Sequence, residues 1–210
     1  MEKTIQYHRT SRDIIQACWT LLKEENFNKI TVKQILDKAM ISRSTFYQHF
    51  SDKYEIIEYV EKQYLIEFMK LVNSMAILSK KEDTNLKFDQ IDKKATEFFE
   101  KNNEHLKLLF EIDETDLNFR YKLRKTISEY ISNTTPNLNE LELALLSAQA
   151  VEYIVYYINH TNEVKNFART MIDGQITVFL TILGININST NGGNIKEKLN
   201  NLMINYPGNK

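Results

Sequence analysis

The stretch Thr31–Ile57, TVKQILDKAMISRSTFYQHFSDKYEII, decides the fold. Thr31 followed three residues later by Gln34 makes a capping box, in which the hydroxyl accepts a free backbone N–H and the Gln side chain returns a bond. A helix is therefore predicted from there to about Lys38. Ser42 supplies a second N-cap, and Ala39, Met40 and Ile41 between them form a three-residue turn, the length that sets two short helices at a steep angle. The pattern predicts a helix-turn-helix.

The second helix can be laid out at about 100° per residue. Phe46 and Phe50 fall four apart and face the core. Ser44 and Gln48 then point away from it, with Thr45 beside them and Arg43, Tyr47 and His49 on the flanks. Short hydroxyls, an amide and a guanidinium on one face can match base-edge donors and acceptors in a major groove, and Tyr and His at its margins can bond phosphate oxygens. Ser51, Asp52 and Lys53 open the following helix, whose free N–H groups and lysine suit one more phosphate. The expected DNA-binding set is Thr31, Lys33, Ser42, Arg43, Ser44, Thr45, Tyr47, Gln48, His49 and Lys53. Lys33, Tyr47, His49 and Lys53 are assigned to the backbone.

The rest of the chain agrees with a helical protein. Its 42% hydrophobic and 26% charged residues are the proportions of a globular chain rather than a disordered one. The net charge of −1 gives no global attraction to polyanions, so local charge matters. Residues 1–55 hold 9 Lys/Arg against 7 Asp/Glu, and residues 56–210 hold 18 against 21. The excess of positive charge thus lies on the predicted DNA-facing end. Only Pro136, Pro207 and five glycines interrupt the sequence, too few turn residues for an all-β chain.

Ile14, Ile15, Cys18, Trp19 and Leu22 follow helical spacing behind a Thr10/Ser11 cap. Phe68, Leu71, Val72 and Met75 do so near the end of a long segment from Lys53. Further helices are predicted at about 86–101, 103–112, 116–133, 139–160 and 163–183. Cys18, the only cysteine, sits among apolar residues and reads as buried rather than reactive. The N-terminus lacks an apolar signal region, and Ile176–Ile187 is too short to span a bilayer. A cytoplasmic protein without a membrane partner is expected.

Residues 11–57 resemble the N-terminal domain of TetR-type (tetracycline-repressor-like) transcriptional regulators. Thr31, Ala39, Ser42, Thr45, Phe46, Tyr47, His49, Phe50 and Lys53 stand at positions matching that family's motif. Two positions depart from its glycines. Asn26 tolerates left-handed geometry, whereas Met40 does not, and a positive φ there would cost about 1 kcal/mol. A slightly different turn is expected at Met40.

The resemblance implies an all-α fold with three parts. Residues 1–52 form a three-helix helix-turn-helix DNA-binding domain, 53–185 a helical effector-binding and dimerisation domain, and 186–210 an Asn-rich loop, short helix and tail. It implies a homodimeric regulator, expected to be a repressor, with a palindromic double-stranded operator and a small-molecule effector as partners. Phe98, Phe99, Phe110, Phe119, Tyr130, Tyr153, Tyr156 and Tyr157 are candidates to line the effector pocket. The basic run Arg120–Lys125 could meet an anionic effector or form a solvated face. Helices around 139–160 and 163–183 are apolar on more faces than one core needs, and Ala144, Ser147, Ala148, Val151, Val178, Phe179 and Ile182 are the expected dimer contacts.

Two other classes compete. A helical adaptor using its N-terminal helices for protein contacts shares the same composition. An all-α di-iron enzyme needs Glu-x-x-His pairs, and none of the four histidines has Glu three positions before it. Glycine-loop, His-Glu-x-x-His and Gly-x-Ser-x-Gly motifs are also missing. No catalytic residue, metal set or cofactor is expected. His105 and His160 are single histidines on different predicted helices.

Overall fold

The computed structural model describes residues 5–79, 84–114 and 117–160. The chain divides into two compact units, Met1–Arg169 and Thr170–Lys210, and every described residue lies in the first. Seven α-helices and one short 3-10 turn make up this part, with no strand among the described residues. They are α1 (Ile5–Leu22), the turn Phe27–Lys29, α2 (Val32–Ala39), α3 (Arg43–Tyr47), α4 (Lys53–Ser79), α5 (Thr84–Glu111), α6 (Phe119–Thr134) and α7 (Glu140–Asn159).

The first three helices close on a small core. Ile14, Cys18, Ile35, Phe46, Ile56 and Ile57 are all within 1% of full burial, and each large apolar side chain so buried contributes roughly 1.5–3 kcal/mol. α1 packs on α2 and α4. Burial pushes the Cys18 thiol up to about 12, in keeping with an inert packing residue. The second half is layered: α4 packs against α5 and α6, α5 against α7, and α6 against α7. Its core includes Phe99, Leu106, Leu109, Leu123, Ile127, Ile154 and Tyr157. α4 packs on both halves, and Trp19 of α1 also meets His105 of α5.

Three elements differ from the sequence expectations. α1 begins at Ile5, ahead of the expected Thr10/Ser11 cap. Both hydroxyls instead donate to carbonyls one turn back, Thr10 to Gln6 O and Ser11 to Tyr7 O, each at 3.1 Å, which lets them stay inside a helix. The two expected helices at 86–101 and 103–112 are a single helix, α5. Asn102, at the expected break, donates to Phe98 O at 2.8 Å and so does not interrupt the helix. Met40 adopts φ 54° and ψ 43°, the left-handed C-cap geometry that glycine supplies most easily. The turn is therefore not reshaped; the methionine accepts the strain.

Candidate nucleic-acid interface

Thr31 builds the predicted capping box. Its backbone N–H donates to Gln34 Oε1 at 2.8 Å, and Thr31 Oγ1 accepts from Gln34 N at 3.3 Å. Gln34 Nε2 also donates to Glu25 Oε1 at 2.5 Å, tying the start of α2 to the link that follows α1. At the other end of α2, Met40 and Ile41 N–H groups both bond Leu36 O. The chain then re-enters a helix at Ser42, whose Oγ accepts from Thr45 N at 3.1 Å. Each such cap is worth about 1 kcal/mol.

α3 is only five residues long, and its faces divide as expected. Phe46 is fully buried, and Phe50, just beyond the helix, is nearly so. Arg43, Ser44, Tyr47 and Gln48 are exposed, with Thr45 and His49 half-buried. Arg43 donates to the Tyr47 hydroxyl at 3.4 Å and lies 5.7 Å from that ring's centre, so the two side chains share the outward surface. Ser44 stands 2.9 Å from the Ser42 hydroxyl. Lys33 is exposed in the first turn of α2.

His49 is held by residues that sequence reading did not single out. Its ring stacks on Tyr7 at 4.0 Å between centres, and Nδ1 lies 2.8 Å from Ser11 Oγ. Ser11 Oγ also lies 3.1 Å from Tyr7 O, so the hydroxyl bridges the α1 backbone and the His49 ring. The Thr10/Ser11 pair had signalled a helix start; only the tertiary fold brings Ser11 to His49.

Lys53 is placed differently from expectation. It begins α4, but its ammonium is turned inward onto backbone carbonyls of the Phe27–Ile30 segment. Asp52 accepts from Glu55 N at 2.8 Å and Glu55 takes the Ser51 N–H at 2.5 Å, so part of the free N-terminal set expected to meet a phosphate is already bonded.

Five of the eight expected effector residues fall into two groups of packed rings. Phe98, Phe99 and Tyr157 form a chain with centre distances of 5.2 and 5.3 Å. Phe110 and Phe119 pair edge to face at 5.2 Å. Phe99, Phe119 and Tyr157 are buried, Phe98, Phe110, Tyr130 and Tyr153 are half-buried, and Tyr156 is exposed and stacked on His160. A groove of about 360 Å³ between α6 and α7 is lined by Tyr121, Arg124, Lys125, Glu129, Glu140 and Leu143, among others, and by none of those eight aromatics.

The expected dimer contacts on α7 differ in exposure. Val151 and Ser147 are each only 1% exposed within the single chain, because that side of the helix packs on α5 and α6. The outward apolar residues are Leu141, Leu145 and Tyr156, with Leu145 59% exposed; Ala144 and Ala148 are half-buried. Val178, Phe179 and Ile182 lie outside the described residues. α7 is also the one helix, among the described residues, long and apolar enough to cross a membrane. No group of three metal-ligating side chains occurs among the described residues.

The first half is thus a capped helix-turn-helix, the arrangement that can present a short helix to a major groove, and a second helical layer follows it. Residues 14–60 match the family model for bacterial regulatory proteins of the tetR family. No curated protein sequence matches the chain. Among solved structures, a TetR transcriptional regulator from Streptococcus agalactiae is similar with a TM-score of 0.56 and 20% identity, over 80% of this chain and 94% of that one. A protein from Syntrophomonas wolfei assigned to the TetR family is similar with a TM-score of 0.56 and 15% identity, over 86% and 97%. Residues 14–60 thus match the tetR-family model, and the chain shares the fold of these two structures.

Proposed function

We propose that the chain is a cytoplasmic repressor that binds a palindromic operator as a homodimer and leaves it when a small molecule occupies the α4–α7 half. The observation that carries the reading is the outward row Arg43, Ser44, Tyr47 and Gln48 on a capped helix. Arg and Gln there can make bidentate contacts to guanine and adenine edges, and the tyrosine hydroxyl can reach phosphate. The dimer is supported by Leu141, Leu145 and Tyr156, large apolar side chains exposed along one side of α7. Self-association covers such a strip.

Selection from random duplexes, followed by mobility shifts, tests the assignment. A palindromic consensus is expected, with affinity that falls steeply between about 50 and 200 mM salt. Gln48→Ala or Arg43→Ala should cost on the order of 1–3 kcal/mol at one operator position and relax preference there. An unchanged consensus for both variants refutes the outward face as the reading face.

A further inference from the structure

Lys53 makes three hydrogen bonds within the reading head. Its Nζ donates to Phe27 O at 2.8 Å, Ile30 O at 2.9 Å and Asn28 O at 3.3 Å, which uses all three ammonium hydrogens. The same nitrogen lies 4.5 Å from the centre of the Phe27 ring and 5.2 Å from that of Tyr54, and those two rings meet edge to face at 5.3 Å. Carbonyls at the end of a helical turn carry partial negative charge and favour a cation. The cluster stands directly before Thr31, the N-cap of α2.

We propose that Lys53 is a positioning residue: its ammonium clamps the Phe27–Ile30 turn to the first turn of α4 and so fixes the direction in which α2, and with it α3, enters the groove. The proposal rests on the DNA-binding reading but replaces the phosphate contact expected of this lysine. A phosphate could take the ammonium only by stripping it from three carbonyls and two ring faces. Burial lowers the pKa of Lys53, while Glu114 and Cys18 act in the opposite direction; a lysine reaching into solvent for DNA has no such environment. Asn26, beside the clamp, has a φ of −62°, ordinary extended backbone that needs no glycine.

Amine acetylation followed by mass spectrometry tests this on the unmodified full chain, with exposed Lys33 as the internal reference. Lys53 should react at least tenfold more slowly than Lys33 without DNA, and operator should not change its rate. Lys53→Ala should weaken operator binding at least tenfold while the slope of log affinity against log salt stays unchanged. A phosphate contact gives the reverse: a reactive Lys53 that operator protects, and a slope reduced by about 0.9 in the variant. Either of those results, or wild-type affinity in Lys53→Ala, overturns the proposal. Should the alanine variant not fold, the acetylation rates decide alone.

Discussion

Met40 is 91% exposed and sits at φ 54°, so it bears left-handed strain with little burial to offset it. Its two backbone neighbours explain why the geometry persists: the Met40 and Ile41 N–H groups converge on Leu36 O, closing the end of α2. Met40→Gly should therefore raise unfolding free energy by about 0.5–1 kcal/mol, the relief of strain less the entropy glycine loses. Met40→Val should lower it, since a β-branched residue resists positive φ most. Urea denaturation of the three proteins checks both signs, and a glycine variant no more stable than wild type shows that the methionine side chain itself supports the turn. The sequence marked Met40 as a departure from glycine and favoured a different turn; that a methionine holds the left-handed geometry depends on the two closing bonds, which no single position reveals.

At the level of elements, the joint between α1, α4 and α5 is built around His105. Its ring lies flat on Trp19 at 4.4 Å and its Nδ1 is 3.0 Å from the Tyr64 hydroxyl, while Lys23 and Glu104 pair at 2.8 Å beside it. Burial holds the His105 pKa below its ordinary 6.5, with Glu104 opposing and Lys23 assisting. The unfolded chain binds the proton more readily, so this joint's stability is complete above about pH 6.5 and declines as pH falls through the lower folded value. Melting temperature should drop with acidification across that window, and His105→Phe should flatten the dependence; an equal slope in the variant assigns the effect elsewhere.

Glu61 and Lys122 join α4 to α6 at 2.5 Å, with Glu61 only 1% exposed and its Oε1 without a hydrogen-bond partner. Removing Lys122 leaves the buried Glu61 carboxylate uncompensated, so Lys122→Met should cost about 3–5 kcal/mol and the double variant with Glu61→Leu should recover most of it. Chemical denaturation of the full cycle measures this, and a double variant no better than the single excludes the pair as the cause. The capping boxes at Thr31 and Asn139 illustrate what local chemistry makes legible, because both partners lie within four residues. The Glu61–Lys122 and Lys53 contacts span 61 and up to 26 residues, and nothing near either end in the sequence announces them.

For the whole molecule, the direction of α7 matters most. Its apolar residues run around several faces, so spacing alone did not distinguish the side turned to its own core from the side left outside. Val151 and Leu145 now separate: Val151→Asp buries a charge and should unfold the chain, whereas Leu145→Asp should keep the fold and abolish self-association with operator affinity. Sedimentation with circular dichroism tests this, and a dimeric Leu145→Asp protein places the subunit contact on another surface. α4 carries a further consequence through its length. Its 27 residues form a rod of about 40 Å, so a tilt of roughly 5° displaces one end by about 3.5 Å relative to the other. That distance is the rise of one base pair, about 3.4 Å per strand. In the proposed repressor, leverage of this size would convert a sub-ångström adjustment of side chains near the pivot into loss of register by a full step of the duplex.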